Sequence, residues 1–245
     1  MAEPKRREVS KEESERRRRK VGRGGEEPPP LPSLARDPLV VLGPDIMGRI
    51  LEFSDARSVA RSVVLSRGWH EVATSDSLWG PKCEELWMGK AHIPRVSKIR
   101  GAARLAVYSM SIMDGKRARI TKDDLCDHMW EYRFKKTAPE YWRNLDPSWK
   151  GTGPPMRRHF HPDGFHTADR DDRVWGGHEC TFLIMTSHVG DGRIREHYVR
   201  INRWPPMTMS RNEDWSWEMS NQLCCYNSIP DAEKEGGTGP LFPVW

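Results

Sequence analysis

The chain has 245 residues, 36% of them hydrophobic and 31% charged, with a formal net charge of +5. That length allows one or two domains, and eleven tryptophans argue against disorder throughout. No apolar run is long enough for a transmembrane helix or a signal-peptide core, so no membrane partner is expected.

Residues 1–36 read as a disordered basic and proline-rich arm. Residues 1–25 hold ten Lys or Arg against five Glu, which accounts for the whole net charge. The remainder is neutral, so no positively charged nucleic-acid face is expected on a folded surface. Lys5-Arg6-Arg7 and the run Arg16 to Lys20 are compatible with a nuclear address, or with a solvated arm. Nucleus and cytoplasm are the expected compartments. The five cysteines show no spaced CxxC pair, which fits a reducing compartment and disfavours a disulfide framework or a zinc site.

From Asp37 to Trp87 apolar residues recur at helical spacing in three blocks. The first carries Ile46, Met47, Ile50 and Leu51, with Pro44 suited to a first helical turn. The second holds Val59, Val63, Leu65, Trp69 and Val72. The third holds Leu78, Trp79 and Leu86, opened by Ser75-Asp76-Ser77 as a cap. Residues 95–112 predict a linker helix with Ile99, Ala103, Ala106 and Met110 on one stripe, ended by Asp114-Gly115.

The period then changes. Thr121 to Asp124 can cap a turn of helix carrying Leu125. Trp130, Tyr132 and Phe134 alternate with charged residues, as on a half-buried strand. Trp215, Trp217 and Met219 alternate in the same way. Further strands are expected over 157–161, 179–186 and 193–203. Asp163-Gly164 and Gly190-Asp191-Gly192 supply hairpin turns. Cys180 to Met185 is apolar on both faces and reads as a central strand. The fold class is therefore α+β: three N-terminal helices and a linker helix, then an antiparallel β-meander curled into a partial barrel or sandwich. The expected divisions are 1–36, 37–90, 91–115, 116–230 and a loose tail at 231–245.

The ordered residues Leu42-Gly43-Pro44-Asp45-Ile46, Ile50-Leu51, Leu65-Ser66-Arg67-Gly68-Trp69 and Ser77-Leu78-Trp79 resemble an F-box over roughly a fifth of the chain. Three positions depart from the family pattern: Gly43 separates the leucine from its proline, Ser54 replaces a leucine, and Leu65 replaces a valine. The resemblance implies docking onto the Skp-type adaptor of a cullin-RING ubiquitin ligase. Carried over, the adaptor contacts are Leu42, Pro44, Ile46, Ile50 and Leu51, with Leu65, Trp69 and Trp79 partly structural. The β domain would then recruit an unknown target protein. Alternatives are an F-box scaffold outside ubiquitylation and a lipocalin-like small-ligand binder.

The tryptophans divide by context. Trp130, Trp215 and Trp217 are expected in the core. Trp142, Trp149, Trp175 and Trp204 stand beside Pro or Gly turns and are candidate target contacts. His161-Pro162-Asp163 followed by His188 or His197 mimics a two-His-one-carboxylate iron site. Exposed strand-edge histidines are the preferred reading, with no metal and no cofactor. Cys224-Cys225 reads as a buried thiol pair, no nucleophile–base motif stands out, and a non-catalytic subunit is expected.

Overall fold

The computed structural model describes residues 37–174 and 180–238, apart from the side chain of Val96. The chain divides into two compact units, one ending at Ile50 and one beginning at Leu51. In order, the helices are α1 (Pro38–Glu52), α2 (Ala56–Ser62), α3 (Arg67–Ala73), α4 (Asp76–Trp87), a 3-10 turn at Arg95–Lys98, α5 (Arg104–Gly115) and α6 (Lys122–Asp127). After β1 (Met129–Phe134) comes the short α7 (Glu140–Arg143), then β2 (Met156–Phe160), β3 (Phe165–Ala168) and β4 (Cys180–His188). The strands end with β5 (Ile194–Ile201), β6 (Thr208–Arg211), β7 (Trp217–Ser220) and β8 (Cys224–Ser228). Helices followed by an antiparallel, nearly closed sheet give the expected α+β class.

Helix α1 bends at Gly43, whose φ of 80° lies in the left-handed region, and Pro44 opens the part that follows. The second apolar block is not one helix. It breaks after Ser62, and Ser66 restarts the chain by accepting the Trp69 N–H at 3.4 Å. Ser75 does not cap α4 with its side chain. Asp76 of that cluster instead accepts the Arg104 N–H at 2.7 Å, anchoring the start of α5. The predicted linker helix is likewise divided: Gly101 has φ +77°, and α5 begins only at Arg104. Its buried face carries Val107 and Ser111, whereas Ile99 and Met110 are exposed. Trp79 stacks obliquely on Tyr108 at 5.0 Å and Trp87 Nε1 donates to Ser111 Oγ, fixing α4 against α5.

The strands pair in the order β5-β4-β3-β2-β1-β8-β7-β6, all antiparallel. A two-bond bridge between Val199 and Met207 joins the outer strands β5 and β6 and nearly closes the barrel. The interior is filled by Trp130, Tyr132, Phe160, Trp217, Met219 and Tyr226, each at most 2% exposed. Side chains occupy the space a lipocalin-like chamber would need. Strand β4 is not central. It lies one strand from the edge, and Leu183 and Met185 face water. The turns at Gly164 (φ +94°) and Gly192 (φ +80°) stand where their sequence signals put them. Trp215 is buried but sits in the β6–β7 turn with φ 65°, not on a strand.

Because α6 leads directly into β1, one mouth of the barrel faces the helices that begin at α2. There Trp215 covers Gly115, the last residue of α5: a Cβ at 115 would lie 2.4 Å from Trp215 Nε1. Arg211 pairs with Asp114, and its guanidinium and that of Arg117 lie over the Trp217 ring. The segment after β8 is docked over the described residues 231–238. Asp231 N–H donates to Ala91 O and Lys234 Nζ to Trp87 O. Asp231 and Lys234 of the tail expected to be loose at 231–245 are held by these contacts; residues 239–245 lie outside the described residues.

Candidate functional site

Helix α1 presents one apolar face to solvent. Leu42, Ile46 and Ile50 are 41%, 52% and 45% exposed, and Val40, Val41 and Pro44 are exposed beside them in sequence. Ile46 and Ile50, four residues apart, share one line of the helical segment after the bend at Gly43, and Leu42 stands just before that bend. Met47 and Leu51 lie a third of a turn away and are buried. In the second unit Leu65 is exposed by the turn before α3. Trp69 and Trp79 are buried, and Trp79 Nε1 donates to Ala73 O at 2.6 Å. Of the eight residues inferred from the F-box resemblance, five are exposed, while Leu51, Trp69 and Trp79 are packed as core. Lys82, itself buried, donates to Ser54 O at 2.6 Å and holds the turn after α1.

The far mouth of the barrel carries the β1–β2, β5–β6 and β7–β8 loops. Here Trp142 stacks on Phe134 at 6.1 Å and tilts against Trp204 at 5.3 Å. Arg143, on the same short helix, lies over the Trp149 ring, and Trp149 is 38% exposed. Three of the four tryptophans named from sequence therefore share one rim. Trp175 lies outside the described residues. Each of the three is partly exposed and partly packed, which suits an aromatic contact surface on a rigid base.

The iron-site pattern does not assemble. Asp163 Oδ1 accepts the Phe165 N–H in the hairpin turn, and His161 Nε2 bonds Thr167 Oγ1 at 2.8 Å. His197 bonds Thr186 and Ile120 O, and His188 is exposed. Buried acid, base and thiol groups occur instead inside the barrel. Arg158 and Asp172 form an ion pair with both side chains at most 2% exposed. Burial holds the His166 imidazole neutral, with a pKa near 3. It also pushes the Cys224 thiol up to about 11, away from a nucleophilic thiolate. Cys225 points to the other face of β8, so the two thiols are neighbours in sequence only.

A polar cavity of about 260 Å³ opens at the helix-facing mouth. Arg95 binds Asp123 and Asp127, and Arg117 binds Asp114 and Asp124, so each guanidinium is held between two carboxylates. Burial raises Asp127 to a pKa of about 6 despite the Arg95 guanidinium. His92, His128 and Asp231 form its buried back wall. Sequence reasoning missed this trio.

No family model matches the chain, and no solved structure matches it. Three fungal proteins, each described as a probable E3 ubiquitin ligase complex SCF subunit sconB, are similar to parts of it. The protein from Neosartorya fischeri is 24% identical over 165 residues, covering 66% of this chain and 21% of that protein. The Emericella nidulans protein is 30% identical over 89 residues, covering 36% of this chain and 11% of the relative. The Talaromyces marneffei protein is 29% identical over 89 residues, covering 36% and 12%. The chain thus spans about a fifth or less of the length of these relatives. Among the described residues, no helix is long and apolar enough to cross a membrane.

Proposed function

We propose that this chain is an F-box-type, non-catalytic subunit of an SCF ubiquitin ligase. In this reading α1 docks the Skp-type adaptor, and the aromatic far rim of the barrel holds a target protein. The observation that carries it is the exposed pair Ile46 and Ile50, with exposed Leu42 and Pro44 before it, in an order that resembles an F-box apart from the inserted Gly43. An amphipathic helix offering apolar anchors at four-residue spacing fits a groove on a partner. Partial similarity to the three SCF subunits supports the same reading. The receptor's contribution to ubiquitin transfer is then proximity: a held target raises the local concentration of its lysines near the conjugating enzyme. Trp142, Trp149 and Trp204 are the proposed target contacts, and their rim lies at the opposite mouth from the α5–β6 clamp.

Co-purification of the full chain with a Skp-type adaptor and its cullin tests the proposal. Recovery of both partners supports it, and failure to retain the adaptor refutes it. Adaptor without cullin would place the chain in a scaffold role outside ubiquitylation.

A further inference from the structure

The back wall of the polar cavity joins three segments distant in sequence: the strap after α4, the α6–β1 junction and the segment after β8. His92 Nδ1 lies 3.0 Å from Asp231 Oδ1, and His128 Nδ1 lies 3.7 Å from the same oxygen. The two imidazoles are stacked, 3.6 Å between centroids and 23° apart, with both Nδ1 atoms turned toward one carboxylate. All three residues are buried, at 3%, 9% and 5% exposure. We propose that His92, His128 and Asp231 form a binding site for a divalent transition-metal ion, with zinc the best fit.

Geometry comes first. Tetrahedral zinc with bonds of about 2.0–2.1 Å sets neighbouring ligand atoms about 3.3–3.5 Å apart. The two distances to Asp231 Oδ1 bracket that value, and all three donor atoms lie within 4.8 Å of one another. Two imidazoles and a carboxylate suit zinc's borderline character. The cavity beside them leaves room for water as the fourth ligand.

The second observation is His128 Nδ1 itself, a buried ring nitrogen without a hydrogen-bond partner among the described residues. Such an atom inside a protein ordinarily finds a partner.

The outer contacts are also of the kind that metal ligands use. Ile93 N–H donates to Asp231 Oδ2 at 3.0 Å and fixes the carboxylate. His92 Nε2 lies 2.8 Å from Ser228 Oγ, which also accepts the Trp217 N–H at 2.8 Å. When His92 Nδ1 binds the ion, the ring proton moves to Nε2, where Ser228 Oγ accepts it. Without metal Nδ1 lies within hydrogen-bond distance of Asp231 Oδ1. The ion therefore replaces that hydrogen bond and adds His128 to the set. It ties the strap after α4 to the start of β1 and the end of β8, which lie side by side.

The test is a zinc titration of the purified full chain after chelator treatment, with calorimetry and thermal melting as readouts. One equivalent is expected to bind. At free zinc near 100 times Kd, the melting temperature should rise by about 5–10 °C. His128→Asn and Asp231→Asn should weaken binding by at least about 100-fold. Asp123→Asn, in the same cavity and exposed, should leave it unchanged. Cobalt substitution should give visible d–d bands without thiolate charge transfer, a readout on the wild type that does not depend on either variant folding. Absence of stoichiometric binding, undiminished binding in both ligand variants, or a thiolate band would overturn the proposal.

Discussion

The proposed adaptor surface can be weighed from the exposure of its side chains. Burying a fully exposed Leu or Ile side chain contributes about 1.5–3 kcal/mol. Leu42, Ile46 and Ile50 each expose about half of their area, so a partner that covered them would gain roughly 0.7–1.5 kcal/mol from each. A triple substitution to alanine should then cost about 2–4 kcal/mol of binding, or about 30- to 700-fold in Kd. The already buried half of each side chain would lose a similar amount of folding stability. Binding must therefore be compared well below the variant's melting temperature. Calorimetry or surface capture with a purified Skp-type adaptor supplies the Kd, and circular dichroism checks the fold. A folded triple variant binding within threefold of wild type would refute the assignment of this face.

Three further outcomes are expected. Asp172→Ala should destabilise the chain by about 3–5 kcal/mol in urea unfolding, because it strands the Arg158 charge inside the barrel; a loss below 1 kcal/mol would mean the pair is solvated. Gly115→Ala should lower stability by about 1–3 kcal/mol, since its Cβ meets the Trp215 ring at 2.4 Å. Gly80→Ala, with open space at its Cβ, is the matched control in the same thermal melt. Asp124 is the pH-sensitive partner. Burial raises its pKa, but hydrogen bonds from Arg117 and Thr121 and the Arg117 charge together bring it below the usual 3.8. A carboxyl depressed in the folded state stabilises above its unfolded pKa and loses that contribution as pH falls through the folded value. Stability should drop below about pH 4, and Asp124→Asn should flatten that limb of the profile.

Local signals in the sequence were reliable where one turn or one face decides the structure. Thr121 and Asp124 form the capping box expected of them, and Leu125 behind it is fully buried. Trp130, Tyr132 and Phe134 all point inward from β1. Expectations failed where a period runs on through a break. Leu65 and Trp69 continue the spacing of Val59 and Val63, yet Ser66 starts a new helix between them. Trp215 keeps step with Trp217 although it sits in a turn. Ile99 and Met110 matched a helical stripe that Gly101 interrupts. The His92–His128–Asp231 trio was invisible for another reason. His92 and Asp231 are 139 residues apart, and only the meander brings the end of β8 back beside β1.

The bridge between Val199 and Met207 has a mechanical meaning. The neighbouring staves share ladders of two to seven paired residues, whereas among the described residues this seam has a single stitch, made by two amides whose side chains are also deep in the core. A proline at 199 or 207 would remove one of its two hydrogen bonds and loosen the seam, leaving the shared core to hold the strands together.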